Sequence, residues 1–156
     1  MTNRKLTSRE KMELTVREKG FDEFLEERMP VLTEFMEALG LPNPQMVLVE
    51  AERYLPALDH WLKEQVIAPA DEAWLLTRVG YFAGEYLVQR LGGCWFLNDI
   101  PDSRYFARYV VGEFTGASNP NAMVDPFGVA EDFVSQPQGR SLLQLLESVE
   151  DEVVRA

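Results

Sequence analysis

The stretch Trp74–Trp95, WLLTRVGYFAGEYLVQRLGGCW, limits the folds open to this chain more than any other. Leu75, Val79, Phe82, Tyr86 and Leu87 recur at helical spacing, and Trp74, Tyr81 and Val88 widen the apolar arc well past a single stripe. A helix apolar around so much of its girth needs neighbours on several sides, so it is predicted to be central. Asp71 is placed to cap it, with Pro69 as an alternative first residue. Gly80 and Gly84 lie on one side of it, and each costs roughly 1 kcal/mol against Ala in a helix interior. Two such glycines predict the close approach of another backbone. Arg78, Glu85, Gln89 and Arg90 interrupt the run, which excludes reading the glycines as a membrane dimer signal. Gly92 supplies a left-handed helix end, and Gly93 turns the chain into Cys94–Leu97.

Helical stripes precede this element and follow it. Residues 1–20 are polar and basic, with Leu6, Met12, Leu14 and Val16 out of any clean stripe, and predict a loosely attached arm or a short helix near 8–18, closed by Gly20. Asp22 then caps a helix carrying Leu25, Met29, Leu32, Met36 and Leu39, which Pro30 should kink or divide. Asn43 and Pro44 open a third helix through Val47, Ala51, Tyr54, Leu58 and Trp61, with Pro56 as a second break. Cys94–Leu97 and the alternating run Arg104–Val111 read as an antiparallel hairpin, and Asn121–Val124 as a short third strand. Asp125-Pro126 starts another helix, and Ser141 caps the last, whose stripe is Leu142, Leu146, Val149 and Val153. The fold class is therefore α+β: five to seven helices packed around an antiparallel sheet of two to three strands, with residues 1–20 as an arm and 21–156 as one domain.

Charge narrows the partners. The chain carries a formal −11, unevenly placed: residues 1–20 hold six Lys/Arg against three Glu, and residues 21–156 hold nine against twenty-three Asp/Glu. An acidic body argues against direct nucleic-acid binding, which needs clustered Lys/Arg, and suits a basic protein partner. Its plainer role is solubility. No run has the length of a membrane span or a signal peptide, and Cys94 is the single cysteine, so a cytoplasmic protein with no membrane contact is expected.

Chemistry-bearing residues are sparse. Glu85 is the carboxylate of most interest, because a buried carboxylate needs partners. Arg78 lies two helical turns away, and Arg104 and Arg108 can reach it from the hairpin. Two readings follow: a charged binding pocket between helix and hairpin, or an ion pair that fixes one against the other. Glu147, Glu150 and Asp151 stand opposite the last apolar stripe and form a candidate acidic surface. Trp61, Trp74, Trp95, Tyr81, Tyr86, Tyr105 and Tyr109 can line a ligand cleft, although aromatics at such spacing are more often core. His60 is the only histidine, which makes a poor metal candidate, and Cys94 reads as a buried thiol. No catalytic residue, metal or cofactor is expected.

Gly84, Glu85, Tyr86 and Leu87, followed by Arg90, Leu91, Gly92, Gly93 and Trp95, form a GEYL…RLGGxW pattern that resembles uncharacterised bacterial domains of unknown function, some of them associated with toxin immunity. The resemblance implies a small α+β domain and a binding role, and carries no catalytic residues. The leading expectation is a non-enzymatic, immunity-like or accessory protein-binding protein that presents an acidic surface to a basic partner. The alternative is a small-molecule-binding protein or enzyme that uses a cleft around Glu85.

Overall fold

The fold, seen in a computed structural model that describes residues 5–156, is α+β, with five α-helices and one three-stranded antiparallel sheet. Helices α1 (Ser8–Ala38) and α2 (Ala51–Lys63) precede α3 (Glu72–Leu91). Strands β1 (Cys94–Leu97), β2 (Tyr109–Gly112) and β3 (Met123–Val124) follow in spatial order β1-β2-β3. Helices α4 (Pro126–Val134) and α5 (Leu142–Arg155) complete the chain, and short 3-10 turns at Pro44–Leu48 and Pro69–Asp71 lead into α2 and α3.

Helix α3 is central, as its apolar girth requires. Every residue from Val79 to Leu87 is buried, and α1, α2, α4, α5 and the sheet all pack on it. Its two glycines make a notch, but what fills the notch is aromatic side chain. A Cβ on Gly84 would overlap the six-membered ring of Trp95 from β1, and a Cβ on Gly80 would overlap the ring of Phe127 from α4. The expected backbone approach is thus replaced by two rings seated on the bare helix surface. Gly92 ends α3 at φ 67°, a left-handed conformation that glycine adopts without cost.

The N-terminal region departs from the sequence reading. Residues 1–4 of the expected arm lie outside the described residues, and from Ser8 onward a single helix runs through Gly20 and Pro30 to Ala38. Its start is a capping box: the Thr7 hydroxyl accepts from the amide of Glu10 at 3.1 Å, and the Glu10 carboxylate accepts from that of Thr7 at 2.9 Å. Gly20 is tolerated because the Tyr109 hydroxyl lies beside it and donates to the Arg17 carbonyl at 2.6 Å. Pro30 is exposed and so is Glu26, so water can satisfy the carbonyl that Pro30 leaves without a donor. Pro56 is likewise carried inside α2, on its exposed face.

Two further differences have local causes. The third helix divides at Glu50, because Asn43 sits at φ 51° without capping and the chain enters a 3-10 turn first. The amide of Ala51 is satisfied by the side chain of Gln89 from α3 at 2.7 Å, which also donates to the Val47 carbonyl at 3.1 Å. In the hairpin, Cys94 pairs with Gly112 and Leu97 with Tyr109, so the second strand begins five residues later than its alternation suggests. Ala107 at φ 59° breaks the extended run, and its amide turns back to the Asn98 carbonyl at 2.8 Å.

Candidate functional site

Glu85 is where the sequence places a possible pocket, and the structure closes that position. The residue is 3% exposed, and one of its oxygens accepts from the Arg28 guanidinium at 2.9 Å and the Trp95 indole N–H at 3.1 Å. Its cationic partner comes from α1, a helix that sequence spacing could not bring alongside. None of the three arginines expected there reaches it. Arg78 donates to the Trp74 carbonyl at 2.9 Å and lies 4.1 Å from the centre of that indole ring; burial lowers its pKa, with Glu34 opposing. Arg104 lies over the ring of Tyr105 and donates to its hydroxyl, which raises its pKa. Arg108 pairs with Asp125 at 2.6 Å, so the Asp125 side chain binds an arginine and makes no capping hydrogen bond to the α4 helix that it precedes. The Glu85 node therefore ties α1, α3 and β1 together, and it opens into none of the surface grooves described below.

The acidic residues of α5 do border a groove. A cavity of about 410 Å³ lies where α2, α3 and α5 meet, with Leu55, Pro56, Tyr86 and Leu143 as its apolar floor and Glu52, Glu147, Glu150 and Asp151 as its acids. Among the described residues that line it, Arg90 is the one cation, and it is already bridged: its Nε donates to Glu150 at 2.8 Å and a terminal nitrogen to Glu52 at 3.1 Å. The Glu150 hydrogen bond raises the Arg90 pKa. Glu150 is thus no outward acid. It is half-buried and also faces the Tyr86 hydroxyl at 3.4 Å. Burial first, then the Glu150 charge, pushes the Tyr86 phenol up to about 12. Glu147 and Asp151 are exposed, and the opening carries their charge to solvent.

A second cleft, of about 420 Å³, has a floor of Phe24, Tyr81, Tyr109 and Phe127, with Arg17, Arg108, Asp125 and Glu131 at its rim. Phe24 lies 4.4 Å from Tyr109 and 4.9 Å from Tyr81, centre to centre. Both phenols serve the fold, since each donates to a carbonyl of α1: Tyr81 to Phe24 at 2.9 Å and Tyr109 to Arg17 at 2.6 Å. Burial, then Glu27, pushes Tyr81 up to about 12. Of the aromatics named from sequence, only Tyr81 and Tyr109 line this cleft. Trp95 fills the glycine notch, while Trp61 and Trp74 set their edges against Phe35.

Two single residues also differ from their sequence reading or act where none was assigned. Cys94 is exposed; its thiol donates to Glu113 at 3.1 Å, and that bond, before burial, raises its pKa away from the nucleophilic thiolate. Asp59, beside the exposed His60, is buried and accepts from the Ser141 hydroxyl at 3.0 Å and the Leu143 amide at 3.1 Å, so a carboxylate of α2 caps α5. Its sequence signal is a charged residue on the apolar face of α2, next to Leu58 and Leu62. Comparison with protein-family models, curated proteins and solved structures finds no match.

Proposed function

We propose that this chain is a non-enzymatic protein-binding protein, immunity-like or accessory in role, whose groove between α2, α3 and α5 receives a basic segment of a partner. The observation that carries the reading is the charge arrangement there. Arg90 is neutralised by Glu52 and Glu150, which leaves Glu147 and Asp151 exposed beside an apolar floor. Such a surface suits a Lys or Arg side chain, whose apolar stem can lie on Leu55 and Leu143 while its charge meets the rim. The acidic balance of residues 21–156 adds a long-range attraction for a basic partner.

A suitable probe is a model helix of Leu with Lys and Arg, titrated into ¹⁵N-labelled protein. The expected result is a set of amide shifts confined to the groove, which fades as salt rises and is lost in the Glu147→Lys/Asp151→Lys double variant. Shifts scattered over the surface, or unchanged by that variant, would refute the reading.

A second reading has one observation in its favour: the cleft of about 420 Å³ with its four-ring floor has the size of a small-molecule site. It replaces Glu85 with Arg17 and Glu131 as the polar groups that a ligand would meet. Shifts at Tyr109 and Phe127 with a small aromatic compound would support it.

A further inference from the structure

The first half of α1 carries an exposed face that the other described elements leave uncovered. Arg9, Met12, Val16 and Lys19 follow 3-4-3 spacing, which aligns them along one side of a helix over about 15 Å. All four are exposed, and the two apolar members are exposed by 69% and 65%. Leu14, on the opposite side, is buried, so this part of α1 is held by one face only. Two large apolar side chains between two cations form a binding stripe of the helix-in-groove kind.

The same molecule carries a groove of matching character. A cavity of about 680 Å³ runs between α4, α5 and β3, with Val129, Leu145 and Val149 in its apolar floor. Glu131, Asp132 and Glu152 stand exposed along it, with Arg104 opposing them, while the Arg108–Asp125 pair is internally neutral. Its local balance is negative, and that of the stripe is positive.

We propose that the occupant of this groove is the α1 stripe of a second copy of the same chain, and that two copies exchange their stripes reciprocally about a two-fold axis. Met12 and Val16 lie on the valine and leucine floor, and Arg9 and Lys19 meet the carboxylates. One stripe in one groove is a small contact; the reciprocal arrangement doubles it toward the roughly 1,200 Å² of a specific interface and closes the assembly. Two copies of charge −11 repel at a distance. That repulsion is screened beyond about 8 Å at physiological salt, so the local match of charge and shape governs the encounter.

Sedimentation and light scattering of the full chain over a concentration series test this. A species of twice the 17.8 kDa chain mass is expected at physiological salt, dissociating as salt rises. Arg9→Glu/Lys19→Glu and Glu131→Lys/Glu152→Lys, each checked for native circular dichroism, should each be monomeric alone. Mixed in equal amounts they should restore a dimer, because the reversed stripe of one then fits the reversed groove of the other and the unaltered pair remains. A monomeric wild type, a ladder of larger species, a dimer that survives either reversal, or a mixture that stays monomeric would each overturn the proposal.

Discussion

Helix α3 carries two glutamate–arginine nodes less than two turns apart, and they serve opposite ends. At Glu85 the carboxylate is enclosed and meets Arg28 and the Trp95 indole, and the pair links α1 and β1 to the central helix. At Arg90 the side chain is 40% exposed, and its guanidinium is shared by Glu52 from α2 and Glu150 from α5 at the edge of an open groove. The residue types are the same, and solvent separates the roles. A charge removed from water must be satisfied within the fold and becomes structural; a charge left in water adds little stability and remains available to a partner. The comparison gives Glu85 to the architecture, and on the function proposed above it leaves Glu147 and Asp151 as the acids a partner would meet.

The largest expected effect breaks the buried node from its cationic side. Arg28→Ala should cost about 3 kcal/mol, because it leaves a carboxylate enclosed without its counter-charge. Glu85→Leu should cost less, about 1–2 kcal/mol, since Arg28 is partly exposed and can turn to water. Urea unfolding of both variants checks the order, and equal losses would mean that the pair is not enclosed as described. Gly84→Leu should follow at about 1–3 kcal/mol, by driving a side chain into the seat of the Trp95 ring. Wild-type stability in that variant would show that the notch is not filled.

The two tyrosines sharpen the comparison by pH. Tyr81 and Tyr86 each have a phenol raised from 10.0 to about 12, so both hold their protons longer folded than unfolded. The stability this contributes is complete below pH 10 and is lost as pH rises through about 12. Thermal melts across that window should decline more steeply for the wild type than for the Tyr81→Phe/Tyr86→Phe variant. The smallest expected effect belongs to the groove: Glu147→Lys with Asp151→Lys should change stability by less than about 0.5 kcal/mol, as exposed residues do.

Legibility in the sequence followed the range of the interactions. The girth of α3, the Gly92 terminus, the Ser141 cap, the Asp125-Pro126 helix start and the three-strand sheet rest on local signals, and each is present. The capping box Thr7–Glu10 was equally local; the irregular apolar spacing of residues 1–20 obscured it, because that part of α1 is held mainly by Leu14 and the Arg17–Gly20 contact with Tyr109. Partner choice is not local. Glu85 meets Arg28 from 57 positions away, and Asp59 caps a helix 82 positions on, so no spacing rule reaches either. The acidic face was half legible: Glu147 and Asp151 are exposed as their place opposite the Leu142–Val153 stripe suggests, whereas Glu150 turns to Arg90, a residue whose position only the fold supplies.

The division between the two nodes is tested most directly by the rate at which the basic Leu/Lys/Arg helix associates, followed by stopped-flow at low and physiological salt. Glu85→Gln, which keeps the shape of the buried node, should associate at the wild-type rate. Glu147→Lys/Asp151→Lys should associate more slowly, with a weaker salt dependence, because steering charge has been removed. The opposite pattern, an unchanged rate for the groove variant and a large loss for Glu85→Gln, would contradict the account and return recognition to the central helix.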